Sequence, residues 1–253
     1  MSVRRPEPQG QAVGVCAPDE VARFRRYLES AGGPHIPHRE GLAAALRRPV
    51  PVGLRPYLRR WATQAVAPWA RARAARDAAA PARLHLACGS NYKPGWVNVD
   101  LLGTHVDVPL DLSRGLPWLD GSVAAILHEH YLEHLNLRQA HALTTECHRV
   151  LRPGGVLRIG VPDARACLRA YCGEESEAQW VAGRPAPLLA VSELVYEHGH
   201  QSVWDARTLE LLCRSAGFSA AAPWEFGTGL LQPNGDSENR RGWTLYVEAV
   251  RSP

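Results

Sequence analysis

The sequence predicts an α/β fold built on a mostly parallel sheet, and two observations carry that prediction. Short apolar runs suited to strands, near 83–87, 96–100, 123–127 and 156–161, alternate with helical stretches, the clearest from 138 to 151. Alternation of this kind implies parallel strands joined by crossovers. Residues 83–100 then hold a strand, a turn bearing Gly89 and a second strand ending in the carboxylate of Asp100. In open α/β sheets ligands sit beyond the carboxyl ends of the strands, and an acid placed there accepts ribose hydroxyls, so this segment has the shape of a nucleoside site.

The remaining elements follow in chain order. The first 15 or so residues are polar and Pro/Gly-rich, as a loose terminus is. From Pro18 a stripe of Val21, Phe24, Tyr27 and Leu28 runs to the Gly32-Gly33 stop and reads as one helix. A second helical stretch over 54–79 is expected to be interrupted at Pro68. Only eight residues separate Ala87 from Trp96, fewer than the dozen or so a crossover helix needs, so the first crossover should lack its helix. Residues 164–204, polar, aromatic and rich in Glu and His, are the candidate substrate cap. A helix over 205–216 stops at Gly217, and two strand-like runs, 218–226 and 242–250, complete the chain.

Composition narrows the function. The chain has 253 residues, 45% of them apolar, with no unbroken apolar segment near the roughly 18 residues of a membrane span. No apolar signal core follows Met1, and Glu7, Asp19 and Glu20 do not suit a transit peptide, so a cytoplasmic enzyme is expected. Residues 1–80 carry 14 Arg against 6 acids, while 81–253 carry 14 Arg and Lys93 against 19 acids. The basic extension has no Lys/Arg run longer than two, so its arginines are read as pairing with the acidic domain rather than with nucleic acid. It should pack across the mouth of the nucleoside site or form a homodimer contact. The cysteines at 16, 88, 147, 167, 172 and 213 follow no zinc or disulfide spacing.

The turn block at 83–100, the run His148-Arg149-Val150-Leu151-Arg152-Pro153-Gly154-Gly155 and the strand closing on Pro162-Asp163 together resemble the class I S-adenosylmethionine-dependent methyltransferases, over about 83–250. The resemblance implies a Rossmann-like, mostly parallel seven-stranded sheet with an antiparallel last strand, preceded by the helical extension 1–80 and carrying the catalytic domain over 81–253. It implies S-adenosylmethionine as cofactor, held by Ala87, Cys88, Gly89, Ser90, Asp100, Leu101, Asp111, Leu112, His128 and Glu129. The superfamily's glycine triplet reads here Ala87, Gly89 and Asn91, and the acid that usually precedes it is His85.

The activity implied is methyl transfer to oxygen or nitrogen of a small molecule such as a sugar or secondary metabolite. The alternatives are aminocarboxypropyl transfer or intramolecular cyclisation of the cofactor, either of which releases methylthioadenosine, and a non-catalytic nucleoside-binding scaffold. Removing a proton from the acceptor suits an imidazole near neutral pKa. His200 and His198 in the cap, with Asp163 at a strand end, are the candidate catalytic residues. His130-Tyr131-Leu132-Glu133-His134 also fits the H-x-x-E-H pattern of inverted zinc peptidases. It follows a parallel strand and has no third ligand at a fixed spacing, so the sequence reading assigns no metal.

Overall fold

The computed structural model describes residues 55–76, 82–103 and 105–252, with the isolated helical positions 23 and 26. The loose terminus and most of the helix expected from Pro18 lie outside the described residues. Helix α1 (Arg55–Arg76) leads into β1 (Ala82–Leu86), β2 (Val97–Asp100), β3 (Val108–Pro109) and β4 (Val123–Glu129). Then come α2 (Leu137–Val150), β5 (Leu151–Pro162), α3 (Ala164–Tyr171), α4 (Leu188–Tyr196), α5 (Ala206–Ser215), β6 (Ala220–Trp224) and β7 (Thr244–Val250). The strands form one seven-stranded sheet in the order β3-β2-β1-β4-β5-β7-β6, with β7 antiparallel to both neighbours and the other pairs parallel.

The long helices start where local chemistry starts them. Asn136 and Gln139 make a reciprocal capping box at α2, and Asp205 and Thr208 make one at α5. Ala140, Leu143, Cys147 and Val150 of α2 recur at helical spacing and enter the main core with Leu209, Leu212 and Cys213 of α5. The connection from β1 to β2 contains no helix, as its length requires.

One expectation is corrected. Helix α1 runs unbroken through Pro68. Pro68 is exposed and removes one backbone bond, while Ala70 and Ala74 beyond it are buried in the main core, which holds the following turns in place. The sheet also has a two-residue strand, Val108–Pro109, too short to display a period. The cap proves helical: α3 and α4 share a small core of Ala166, Cys167, Ala170, Trp180 and Ala190. Among the described residues no helix is long and apolar enough to cross a membrane.

Candidate active site

The turn after β1 is bound to the end of β2. Gly89 N–H donates to Asp100 Oδ2 at 2.8 Å and Leu101 N–H to Oδ1 at 2.5 Å. These bonds leave lone pairs on a carboxylate whose side chain is 18% exposed. Ala87 and Gly89 both have positive φ, +51° and +53°. Gly89 and Ser90 are exposed, so the turn presents backbone to solvent beside Asp100. Cys88 is buried with its thiol pushed up to about 11 by burial and then by Asp100, which suits a space-filling residue rather than a nucleophile.

Asp111 and Leu112 are joined to the same edge through Leu110 N–H, which donates to Asp100 O at 2.8 Å. The Asp111 carboxylate caps the turn at 112–114, accepting from Ser113 N–H and Oγ–H, and takes Arg60 Nε–H at 2.8 Å. Arg60 belongs to α1. Its neighbour Arg59 donates to the carbonyls of Leu101 and Leu102, and Thr63 Oγ1 accepts from Leu102 N–H. Sequence reasoning missed these three residues, because an Arg-rich helix does not disclose which arginines face a strand end. Tyr131, pushed up to about 12 by burial with Asp111 and Asp100 nearby, completes this edge.

His128 and Glu129, the last two expected cofactor residues, lie elsewhere. The His128 ring is fully buried with no hydrogen-bond partner at either nitrogen, and burial lowers it to about 4. Glu129 accepts Ser237 N–H at 2.9 Å, Ser237 Oγ–H at 2.5 Å and Tyr246 O–H at 2.8 Å, and lies 3.1 Å from Lys93 Nζ. Both side chains are buried. Alternation along β4 sends the two side chains to opposite faces of the sheet, and both faces are covered.

The catalytic candidates separate too. Asp163 caps α3 by accepting Ala166 N–H at 3.0 Å, and it borders a cavity lined by Trp224, Phe226 and Tyr246. His198 and His200 line a different cavity of about 440 Å³, with His130, Glu133, His134, Trp180, Arg240 and Trp243. His200 Nδ1–H donates to Leu194 O at 2.6 Å, which leaves its Nε2 as the lone-pair nitrogen. Glu133 is 2% exposed, neither carboxylate oxygen has a hydrogen-bond partner, and burial raises it to about 7. His130 and His198 both have positive φ, +52° and +58°, so backbone strain gathers at this cavity.

Residues 84–159 match the methyltransferase domain family. With the 3-2-1-4-5-7-6 sheet and the carboxylate at the end of β2, this stretch is similar to the methyltransferase domains that take S-adenosylmethionine as cofactor. The open turn and the carboxylate with lone pairs to spare fit that cofactor's ribose. No curated protein matches the chain. Among solved structures it is similar to a SAM-dependent methyltransferase from Archaeoglobus fulgidus, with TM-score 0.45, 14% identity, and 76% of this chain and 94% of that one covered. A second, from Thermotoga maritima, has TM-score 0.45 and 16% identity over 79% of this chain and 96% of that one. A candidate O-methyltransferase from Nostoc punctiforme has TM-score 0.32 and 13% identity over 53% of this chain, which spans only 33% of that protein.

Proposed function

We propose that the enzyme methylates an oxygen or nitrogen of a small polar molecule, of the sugar or secondary-metabolite class, in a cytoplasmic biosynthetic role. The observation that carries this reading is the cavity of about 440 Å³ beyond the end of β4, within the range of small-molecule sites. Charges of both signs and two indole rings line it, a mixture suited to a polar molecule with an apolar face rather than to a phosphate backbone. Residues 81–253 form the catalytic domain with 164–204 as its cap, and the extension 1–80 braces the cofactor edge through α1.

S-adenosylmethionine supplies an electrophilic methyl group. On the protein side, Asp100 accepts the ribose diol, the turn at 87–90 receives the amino-acid end, and Leu101, Asp111 and Leu112 flank the base. His128 and Glu129 serve the fold instead, and Asp163 serves as a helix cap. A neutral imidazole, His200 or His198 beside it, takes the acceptor's proton.

The test is incubation with methyl-labelled cofactor and a panel of sugars, phenols and amines. S-adenosylhomocysteine formed with labelled product supports the reading. Methylthioadenosine as the by-product overturns it in favour of aminocarboxypropyl transfer or cyclisation. His200→Ala is expected to lower single-turnover rate by roughly 10²–10⁴ with cofactor affinity unchanged, and a near-normal rate removes His200 from the mechanism.

A further inference from the structure

The loop after β4 and the segment after α4 are bound together by backbone. Gln201 and Ser202 N–H donate to Glu133 O at 2.7 and 3.1 Å, and Gln201 Nε2–H donates to His134 O at 2.6 Å. Glu133, His134 and His200 each bring a ligand-type atom within 4.8 Å of the others. His200 is the third ligand that no fixed spacing could reveal, because it arrives from 66 residues beyond His134.

Proton accounting leaves His130 and His200 presenting lone pairs on the side of Glu133. Thr244 donates its hydroxyl hydrogen to Arg240 O at 2.9 Å, so at 2.8 Å from His130 Nε2 it accepts. His130 therefore carries its proton on Nε2 and turns the lone pair of Nδ1 toward Glu133 Oε1, 3.5 Å away. His200 Nε2 is likewise a lone pair, since Nδ1 donates to Leu194 O. The Glu133 carboxylate, 2% exposed and without a hydrogen-bond partner, stands among them. Arg240 lines the same cavity, yet its Nε–H also lacks a partner. Imidazole lone pairs converging on an unpartnered carboxyl are an arrangement a divalent cation completes, the carboxyl proton leaving as the cation binds.

We infer that Glu133, His134 and His200 form a binding site for a divalent transition-metal ion of the zinc class, with a coordination position open to the cavity. Two imidazoles and one carboxylate are a ligand set zinc takes where it keeps an open position, and imidazole also suits cobalt and nickel. The Nδ1–H of His200 on a backbone carbonyl is the outer contact that orients a metal-binding histidine. Ligand atoms around tetrahedral zinc lie about 3.3 Å apart, so binding draws the three side chains together from the separation seen here. A metal at this place holds the acceptor's oxygen and lowers its pKa. That role rests on the methyl-transfer reading of the cavity, and it makes His200 a ligand and leaves His198 to take the proton; the binding itself does not depend on it.

The experiment uses untagged full-length protein, dialysed against Zn²⁺ and separately Co²⁺, with metal counted by elemental analysis and Co²⁺ followed by its visible spectrum. One equivalent per chain is expected, with affinity at least 100-fold weaker in His134→Ala and His200→Ala and at least 10-fold weaker in Glu133→Gln. Retained binding of S-adenosylhomocysteine shows that each variant is folded, and the near-isosteric Glu133→Gln carries the test if an alanine variant is not. Substoichiometric metal, or metal bound equally well by folded variants, overturns the inference. Methyl transfer by metal-free protein removes the metal's role in the reaction and leaves the function standing. Stoichiometric metal with methylthioadenosine as product does the reverse.

Discussion

On one face of the sheet Leu84, Leu86, Val99, Ile126, Leu157, Ile159 and Val247 meet residues of α1, α2 and α5 in a continuous apolar core. On the other, the alternate positions of the same strands are His85, Asn98, Glu129, Arg158, Tyr246 and Glu248, all buried. Loops cover these. Asn98 holds the turn at 93–96 by accepting Lys93 N–H and donating to the carbonyls of Lys93 and Trp96. Asp236 and Glu248 pair with Arg158, which also donates to the carbonyls of Glu225 and Thr228. Only a small apolar cluster of Trp96, Ala125, Leu127 and Leu231 lies on that side. Helices satisfy their own backbone and need offer the sheet only apolar contact. Irregular loops do not, so a face that has lost its first crossover helix is closed by buried side-chain bonds instead.

The comparison is broken most severely at Arg158. It is fully buried, bonded to Asp236 through Nε and Nη2 at 2.6 Å each and to Glu248 at 2.9 Å, and its guanidinium lies 4.6 Å from the centre of the Tyr246 ring. Arg158→Met leaves two buried carboxylates unpaired, and a loss of about 3–5 kcal/mol is expected in urea denaturation. The triple change that also makes Asp236→Asn and Glu248→Gln should recover part of it. If Arg158→Met alone unfolds no more readily than wild type, the polar face is ornamental and the apolar core alone sets stability.

Acid tests both faces together. Burial lowers His85 on the loop side and His128 on the helix side to about 4 each, with Lys93 also acting on His85 and His85 on His128. Folded, both stay neutral while the unfolded chain takes up protons below about 6.5. Stability is therefore complete above that pH and falls as pH drops toward 4, by about 2 kcal/mol per histidine at pH 5. Burial lowers His130 as well, to about 3, so His128→Leu should flatten roughly a third of the dependence without touching the loop face. A denaturation midpoint that does not move between pH 7 and 5 would show that one or both rings are hydrated.

How much of this could be read beforehand follows the same division. The helix-covered side was legible because α2 and α5 announce themselves by period and by cap, and the bound turn at Gly89 by its distance from Asp100. The loop-covered side was not. Arg158 and Glu248 look like ordinary strand residues facing solvent until Asp236, 78 residues beyond Arg158, is brought over them. For His128 and Glu129 the sequence located the strand end, while the burial of both side chains depends on what covers each face. His198 and His200 line one cavity with Glu133 and His134, a meeting that rests on backbone bonds between two loops, which no local pattern encodes.

Where the two faces meet, at the strand ends, Asp100 offers a smaller effect confined to binding. Asp100→Ala should weaken S-adenosylhomocysteine by roughly 1.5–3 kcal/mol, as loss of hydrogen bonds to a charged group does. It also frees Gly89 N–H, which is exposed and can turn to water. Calorimetric titration showing unchanged affinity would remove Asp100 from the cofactor site, and a fall in affinity with a large fall in thermal stability would recast it as a brace for the turn.

The smallest expected effect lies in the turn itself. Ala87 occupies the first position of the glycine triplet at φ +51°, a left-handed conformation in which a β-carbon crowds the backbone. Two opposing terms act on Ala87→Gly. Relief of the left-handed strain favours the folded state by about 1–2 kcal/mol, and the extra freedom glycine gives the unfolded chain removes about 0.5–1 kcal/mol. A net gain of up to about 1 kcal/mol is expected, read as a small rise in denaturation midpoint with cofactor affinity unchanged. Ala87 packs against the helix-covered core, so the substitution also deletes one methyl contact there. If Ala87→Gly lowers stability instead, that contact outweighs the strain, and alanine at this position is held by the apolar face rather than tolerated by the turn.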